Sequence, residues 1–294
     1  MKICSVTILY NPTNAVADYI ASYAPLVNHS YVIDNSNTHL PSLSSLIAQK
    51  TGDDKIEFIK NKENLGVAAA LNIACSLADS AGFDWILTMD QDSYFDDATF
   101  FNLAKPLLAQ QNIGIISASY YGKLPYKKNY SAGFDRLLIA LTSGNLVHIQ
   151  AWKKVNGFTE KLFIDEVDND FCIRLKKANL LVLGSKQVFL HHSLGQQFSI
   201  KPFFAKKSFQ IGIHPPFRMY YTVRNGLYVS FKYLFFCPYF SINRWKNLST
   251  KLILIIFFYP HKRKYLYNFL KALAHFITFN YKNDTSKNKN VIKR

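Results

Sequence analysis

Apolar runs of strand length alternate with helical segments through the first ninety residues, and this alternation restricts the fold more than any other feature. The runs are residues 3–10 (ICSVTILY), 31–33 (YVI), 56–59 (IEFI) and 85–89 (WILTM). A stretch of mostly small and apolar residues from about Ala15 to Leu26 predicts one helix, and an alanine-rich stretch closed by Gly82 predicts another. The order β-α-β-α-β-α-β predicts an α/β fold with a doubly wound, mostly parallel sheet.

A polar stretch follows each of these strands. In a doubly wound sheet, ligands bind outside the carboxyl ends of the strands, so the four stretches should line one edge of the sheet. They are Tyr10-Asn11-Pro12, Asp34-Asn35-Ser36, Asn61 to Gly66, and Asp90-Gln91-Asp92.

Asp90 and Asp92 stand where an apolar strand leaves the core. Two carboxylates with open positions beside them suit Mg²⁺ or Mn²⁺, which bind a few carboxylates together with substrate phosphates. The alternative is a solvated turn that caps the next helix.

Two further strand ends offer groups for a nucleotide. Asp34 could accept hydrogen bonds from a ribose or from a base N–H, or it could close an Asx turn. Gly66 permits close backbone approach at the start of a helix whose N–H groups could face an anion. The small residues after it fit packing on the sheet equally well.

The segment 163–174 (FIDEVDNDFCIR) places Asp165, Glu166, Asp168 and Asp170 within six residues of one another. Crowded carboxylates raise one another's pKa, which favours a general base. Asp170 and Arg174 stand at i and i+4 and should form a structural pair, which leaves Asp168 as the candidate base. The alternative is a solvated acidic helix start.

The remaining sequence signals concern single residues and loops. His191-His192 follows an apolar run, and either a core histidine or a metal ligand would fit there. Asp96 and Asp97 are expected as helix caps. Residues 112–122 predict a strand, 122–135 a long polar loop that could cover the site, and 181–196 the last strands of the chain.

The cysteines and the N-terminus favour a reducing, cytoplasmic setting. Cys4, Cys75, Cys172 and Cys237 are scattered through apolar runs without CxxC spacing, which predicts reduced core residues. The N-terminal residues (MKICSVTILYNP) carry no small-residue cleavage site and predict a first strand rather than a signal peptide.

The basic residues concentrate at the C-terminal end. Residues 201–294 hold 18 Lys or Arg and one acid, a net charge of +17, whereas residues 1–200 are near neutral. We expect a catalytic domain at 1–215 and a basic, aromatic, mostly helical extension at 216–294 whose last dozen residues are disordered.

The apolar run at 252–259 is too short to span a membrane. The following residues, 262–282, mix aromatic and leucine side chains with Lys and Arg, as interfacial helices do. We therefore expect peripheral attachment to an anionic membrane surface at the inner face of the cell membrane. A core-packed helical pair with a basic outer face is the alternative. Nucleic-acid binding would leave the acids of the body unexplained.

Taken together, eight segments in order resemble the family-2 inverting glycosyltransferases with the GT-A fold, especially the bacterial rhamnosyltransferase branch. The segments, which run from about residue 3 to 230, are VTILYNP, VIDNS, NLGVAAALN, LTMDQDS, TSGNLV, FIDEVDNDFCIRLKKANL, HHSLG and FRMYYTVRNGLYV.

The resemblance implies a role for each matching residue. Asp34 would contact the nucleotide base, Asp90, Asp92 and His192 would hold Mg²⁺ or Mn²⁺ on the diphosphate, and Asp168 would deprotonate the acceptor hydroxyl. The donor site would also include Tyr10, Asn11, Asn64, Gly66, Ser143, Gly144 and Asn145. Acceptor-binding or supporting roles would belong to Asp165, Glu166, Arg218 and Arg224, and Tyr221 and Asn225 match as well.

The expected reaction transfers a sugar, rhamnose from dTDP-rhamnose, to a hydroxyl of a lipid-linked or growing surface glycan such as an O-antigen or capsule. UDP-galactofuranose and other UDP-hexose enzymes resemble this branch closely, so the donor stays open between them. A nucleotidyltransferase would share the fold and the metal but would need no base at Asp168. An inactive membrane-bound scaffold is the third alternative.

Overall fold

The computed structural model describes residues 1–40, 42–51, 55–118, 125–131, 133–187, 189–192, 197–200 and 209–278, and only the backbone of 125–131, 192, 197, 200 and 209–211. The chain divides into two compact units. The first comprises residues 1–160 and 167–193, and the second comprises residues 161–166 together with those from 194 onward. Whether residues 1–215 form the catalytic domain stays a prediction.

A mixed, mostly parallel sheet forms the centre of the first unit. Its strands lie in the order β3-β2-β1-β4-β9-β6-β10-β8-β7. β3, β2, β1 and β4 run parallel, β9 is antiparallel to both β4 and β6, and β10 is parallel to β6. The strands described in the first unit are β1 Ile3–Leu9, β2 His29–Asp34, β3 Ile56–Lys60, β4 Trp85–Asp90, β5 Ser93–Phe95, β6 Ile113–Ser117, β7 Pro125–Ser131, β8 Phe134–Leu137, β9 Asn145–His148, β10 Leu181–Ser185 and β11 Leu190–His192. β5 and β11 pair with each other in a separate two-stranded sheet.

Helices connect these strands and bury their apolar sides on the sheet. They are α1 Val16–Ala21, α2 Leu43–Thr51, α3 Gly66–Ser80, α4 Thr99–Ala104, α5 Ile149–Lys154 and α6 Val167–Lys177. In α3, Ala68, Ala70 and Ala74 are fully buried, because small side chains let the helix approach the strands closely. Gly82 follows α3 with a positive φ, as expected for the residue after a helix end.

The predicted α/β fold with a mostly parallel sheet is confirmed, and two local predictions were wrong. Part of the predicted polar loop at 122–135 is the edge strand β7, which pairs antiparallel with β8; residues 122–124 and 132 lie outside the described residues. The sequence of β7, PYKKNYS, lacks the apolar run of a central strand. An edge strand can be polar because another strand pairs with it on one side only. The prediction that residues 181–196 contain the last strands was also wrong, because β12 and β13 follow them in the second unit.

The second unit contains a hairpin and three helices. Strands β12 Gln197–Ile200 and β13 Phe209–Gly212 pair antiparallel, and helices α7 Pro216–Lys232, α8 Pro238–Phe257 and α9 Lys262–Ile277 follow. The helices share an apolar core that includes Val223, Leu248, Ile255 and Phe269. Among the described residues, no helix is both long and apolar enough to cross a membrane.

Cys4, Cys75, Cys172 and Cys237 are buried thiols, as the sequence predicts. Burial raises the pKa of the Cys4 thiol to about 12 despite a backbone hydrogen bond, and it likewise raises that of Cys172 to about 12. Such thiols stay protonated and react slowly. The predicted disordered C-terminal residues lie outside the described part of the chain.

Candidate functional site

Hydrogen bonds join the polar strand ends of β1, β2 and β4 into one edge. The Gln91 side chain bonds both backbone groups of Tyr10, accepting from its N–H at 2.8 Å and donating to its carbonyl at 3.2 Å. The Asn11 N–H donates to Ser36 Oγ at 2.7 Å, and Asn11 itself has a positive φ. The predicted gathering of these strand ends is therefore present in the first unit.

Asn35 continues this edge toward β3 and α3. Its Oδ1 accepts a hydrogen bond from Asn61 Nδ2 at 2.7 Å, and its own amide donates to the Gly66 carbonyl at 3.2 Å. Asn64 Oδ1 accepts from the Gly66 N–H at 2.9 Å, and Gly66 has a φ of 82°. Asn64 and Gly66 thus shape the turn that starts α3.

Asp34 is buried at the end of β2, with 2% of its surface exposed. One carboxylate oxygen accepts a hydrogen bond from the Ser36 N–H at 2.9 Å, and the other lies 2.7 Å from His39 Nδ1. The Asx-turn alternative is thus present, since the bond to Ser36 is of that type. His39 is more exposed than Asp34, and it was not singled out in the sequence.

The loop after β4 is held by two serines. The Asp90 N–H donates to Ser143 Oγ at 3.1 Å, and the Ser143 hydroxyl donates to Ser93 Oγ at 2.8 Å. Gly144 has a φ of 77°, and its N–H donates to the Thr88 carbonyl at 2.8 Å. The turn at 143–145 therefore fixes the start of the Asp90–Asp92 loop.

The backbone register places His192 beside this loop. β11 pairs antiparallel with β5, and His192 lies opposite Ser93, the residue after Asp92. The His192 side chain lies outside the described part of the structure. Among the side chains that are described, no group of three His, Cys, Asp or Glu residues forms a metal site. The donor set of Asp90 and Asp92 fits a hard divalent ion that takes further oxygens from a substrate.

Three acids of the segment 165–170, namely Asp165, Glu166 and Asp170, have arginine partners. Arg218 Nη2 and Thr222 Oγ1 each donate to Asp165 at 2.8 Å, and Arg244 Nε lies 3.1 Å from Glu166 Oε1. Asp170 is fully buried and accepts from Arg174 Nε at 2.8 Å, as predicted, and from Thr159 at 2.6 Å.

One of these ion pairs corrects the expectation that the crowded carboxylates raise one another's pKa. Burial alone would raise the pKa of Asp165, but the hydrogen bond and positive charge of Arg218, with smaller contributions from Thr222 and Lys251, lower the pKa below its usual value. The prediction of a raised pKa was therefore wrong for Asp165, because the positive charge of Arg218, which is distant in sequence, stabilises the carboxylate.

Asp168 lies in the first turn of α6, as the sequence predicts. Its Oδ1 accepts a hydrogen bond from the Asn169 N–H at 2.8 Å. Asp168 lines a small, mostly apolar cavity of about 10 Å³ together with Thr88, Thr142 and Asn145. Asn145 Nδ2 donates to the Leu141 carbonyl, whereas its buried Oδ1 has no hydrogen-bond partner among the described residues.

Within the second unit, Arg224 and Asn225 hold the backbone of residues 161–165. Arg224 Nη2 donates to the Lys161 carbonyl at 3.0 Å, and Asn225 Nδ2 donates to the carbonyls of Leu162 and Ile164 at 2.6 and 2.7 Å. Nearby, Phe163, Asp165 and Glu166 all have positive φ values, a conformation that costs free energy and needs such support. Acceptor contact by Arg218 or Arg224 stays a prediction.

The model of one protein family, described as glycosyl transferase family 2, matches residues 13–170. This match covers more than half of the chain and includes Asp34, Asp90, Asp92 and Asp168. The chain belongs to glycosyl transferase family 2.

One curated relative and two solved structures are similar to this chain. The chain is 26% identical to the dTDP-rhamnosyl transferase RfbF of Shigella flexneri over 247 residues, which cover 76% of this chain and 78% of the relative. Staphylococcus aureus TarS 1-349 in complex with UDP-GlcNAc has a TM-score of 0.61 at 12% identity, covering 95% of this chain and 81% of TarS. The mannosyltransferase PcManGT of Pyrobaculum calidifontis, in complex with GDP-Man and Mn²⁺, has a TM-score of 0.56 at 12% identity. The match covers 94% of this chain and 87% of PcManGT.

The fold of this family 2 glycosyltransferase is of the GT-A type, as expected. Sequence reasoning assigned no role to three residues that shape the candidate site: His39 beside Asp34, Gln91, which bonds the Tyr10 backbone, and Ser93, which accepts a hydrogen bond from Ser143. His39 follows Asp34 by five residues in a polar stretch, so proximity to Asp34 was the available signal. The partner of Ser93 lies 50 residues away and left no signal in the sequence.

Proposed function

We propose that this family 2 glycosyltransferase transfers rhamnose from dTDP-rhamnose to a hydroxyl of a lipid-linked or growing surface glycan, with inversion at the anomeric carbon. The observation that carries the proposal is the match to RfbF, a dTDP-rhamnosyl transferase, over 76% of the chain. The joined strand ends of β1, β2 and β4 support it, because they form the edge where a nucleotide would bind in a sheet of this type.

The nucleotide would lie along the strand ends. Tyr10, Asn11, Asn64 and Gly66 offer backbone and side-chain groups to the nucleotide, and the Asp34–His39 pair stands at the end of β2 to contact its base. The burial of Asp34 supports a role for His39 as the more accessible member of the pair. Ser143, Gly144 and Asn145 would border the donor sugar.

Asp90 and Asp92, with His192, would hold a Mg²⁺ or Mn²⁺ ion. A bound divalent ion would offset the negative charge that grows on the departing nucleoside diphosphate. Both carboxylates follow β4 directly, and the hydrogen bond of the Asp90 N–H to Ser143 fixes the start of their loop. This rigidity supports a defined position for the diphosphate.

Asp168 would act as the general base. Its carboxylate would take the proton of the acceptor hydroxyl as the hydroxyl oxygen attacks the anomeric carbon, and the nucleoside diphosphate would leave from the opposite face. The position of Asp168 supports this choice, since it lies in the first turn of α6 and lines a small cavity together with Thr88 and Asn145. A single displacement of this kind inverts the anomeric configuration.

A thermal-shift comparison of dTDP, UDP and GDP, each with and without Mn²⁺, tests the donor and the metal together. We expect dTDP with Mn²⁺ to raise the melting temperature most, because a ligand that binds only the folded state stabilises it. Asp92→Ala should remove the Mn²⁺-dependent part, whereas Asp79→Ala, a surface acid, should retain it. A larger shift with UDP would assign a UDP-sugar donor instead, and no shift with any nucleotide would overturn the proposed site.

A further inference from the structure

Exposed apolar side chains concentrate in the second unit. Among the large hydrophobic residues that the structure shows as exposed, four lie in the first unit and the other thirteen in the second. The most exposed is Phe235, at 98%, in the turn between α7 and α8, and Phe236 beside it is also exposed. A soluble surface seldom presents so many large apolar groups in one region without a partner.

On α8 these residues form a stripe. Tyr239, Ile242, Ile253 and Ile256 are exposed and follow one another at helical spacings of three, four or seven residues, or their sums. The opposite face of α8 carries Leu248 and Ile255, which belong to the buried core of the second unit. The helix therefore has one face packed on its neighbours and a second apolar face in solvent.

α9 shows the same arrangement. Tyr267, Leu270 and Ile277 are exposed at spacings of three and seven residues, and Ile277 is 71% exposed. Tyr265, Phe269 and Ala272 form the buried side that faces the shared core. The core-packed helical pair considered from the sequence is thus present, but it accounts for only one face of each helix.

Basic residues accompany the exposed apolar ones. Residues 209–278 contain ten Lys or Arg and no Asp or Glu. Lys262, Arg263 and Lys264 at the start of α9 are exposed, and Lys262 Nζ donates to the Ile256 carbonyl at 3.3 Å. The cationic cluster therefore lies next to the apolar C-terminal end of α8.

We propose that the exposed stripes of α8 and α9, with the Phe235-Phe236 turn, form a surface that docks on an anionic lipid bilayer. Apolar and aromatic side chains would enter the interface, while Lys and Arg side chains would extend to the acidic headgroups. The absence of acidic residues from 209–278 argues against a second copy as the occupant, since two such faces would repel each other.

This docking surface deepens the proposed function, on which it rests, because a lipid-linked acceptor would be presented at such a bilayer. Vesicle binding needs neither donor nor acceptor, so it can fail independently of the transferase reaction. Conversely, loss of transfer to a soluble acceptor would challenge the proposed function and leave the lipid surface untouched.

The test measures co-sedimentation of the full chain with vesicles of phosphatidylcholine alone and of phosphatidylcholine mixed with phosphatidylglycerol. We expect binding to the anionic vesicles that weakens as salt is raised. Replacing Lys262, Arg263 and Lys264 together by Gln should weaken this binding on the order of a hundredfold, at about fivefold per basic residue.

A second variant tests the apolar contribution. Phe235→Ser with Ile253→Ser should weaken binding by about tenfold or more, because both side chains would leave the interface. Leu103→Ser, the same type of change at an exposed position of the first unit, should leave binding unchanged. Circular dichroism confirms that each variant is folded.

Two results would overturn the proposal. One is equal or absent binding to neutral and anionic vesicles by the wild-type chain. The other is a dimer in sedimentation velocity that Phe235→Ser with Ile253→Ser converts to a monomer, which would assign the surface to contact between copies of the chain.

Discussion

Among single side chains, arginines form ion pairs with three acids of the segment 165–170, namely Asp165, Glu166 and Asp170. Arg218 and Thr222 hold Asp165 as a carboxylate, and burial of its side chain makes those hydrogen bonds matter more than they would in water. The sequence shows Asp165 and Arg218 53 residues apart, so no local spacing could reveal the pair.

Asp165→Asn should destabilise the chain and reduce its response to acid. The pKa of Asp165 is lowered in the folded state, so its stabilising effect is present above the unfolded value of about 3.9 and is lost as pH falls through the lower folded value. We expect the variant to lose roughly 1–3 kcal/mol of unfolding free energy at pH 7 and to lose less than the wild type on further acidification.

Urea unfolding followed by circular dichroism at several pH values measures this effect. Asp79→Asn is the matched control, because its ion pair with Lys153 lies at the surface, partly exposed to solvent, and should contribute under about 1 kcal/mol. Equal stability losses for the two variants would contradict the assigned role of Arg218.

His39→Ala should weaken donor binding more than it slows the reaction. The change removes the imidazole that lies 2.7 Å from one buried Asp34 oxygen, while the other oxygen keeps its hydrogen bond from the Ser36 N–H. A hydrogen bond to a charged group is worth about 1.5–3 kcal/mol, so the donor KM should rise by roughly tenfold or more, with kcat changed little.

Steady-state kinetics with the donor varied gives both constants. His29→Ala is the control, since His29 lies at the opposite end of β2 beside Glu57. An unchanged KM for His39→Ala would mean that the Asp34–His39 pair is structural only.

At the scale of elements, the turn at 143–145 links β9 to the loop after β4. Gly144 adopts a φ of 77°, and a Cβ at this position would lie 2.8 Å from a methyl carbon of Leu190. Ser143 in the same turn holds the Asp90 N–H. Distortion of this turn should therefore affect both stability and the candidate metal site.

Gly144→Ala should cost about 1–3 kcal/mol of unfolding free energy from strain and overpacking and should lower transferase activity. Gly82→Ala is the control, because Gly82 has a similar φ of 71° but nothing within 4 Å of an added Cβ. It should show the conformational cost alone, with activity retained. If Gly144→Ala and Gly82→Ala changed the activity equally, the turn at 143–145 would have no specific effect on the candidate site.

The elements that sequence reasoning predicted well are those whose burial is local and continuous. β1, β2 and β4 are buried over most of their length and flanked by helices, and α3 has small residues where it meets the sheet. β7 was missed because an edge strand can be polar, and the antiparallel place of β9 between β4 and β6 has no signature in its four residues.

The site could be predicted as far as its strand ends. A carboxylate after a buried strand is visible in the sequence, and the parallel order of β1, β2, β3 and β4 then brings Asp34 and Asp90 to one edge. The hydrogen bonds between Ser143 and Ser93 and the pairing of Glu166 with Arg244 depend on folding of the whole chain, so local patterns could not contain them.

At the scale of the whole molecule, charge is divided along the chain. The first 200 residues are near neutral, and the residues after them are strongly basic. Metal-bound nucleotide chemistry is proposed for the strand ends of the first unit, and lipid contact is proposed for the helices of the second. Because the two proposed functions depend on different residues, substitutions in the second unit can remove lipid binding without changing the nucleotide site, and substitutions in the first unit can do the reverse.

The most direct test of the central claim is the rate of rhamnose transfer from dTDP-rhamnose to a polyprenyl-linked acceptor by the wild type and Asp168→Asn, together with dTDP binding by both. If Asp168 is the base, the variant should lose about 10²–10⁴-fold in kcat while its affinity for dTDP with Mn²⁺ stays unchanged. Asn169→Asp in the Asp168→Asn background serves as a check that the position of the carboxylate, and not charge alone, is required. Transfer by Asp168→Asn at the wild-type rate would contradict the account.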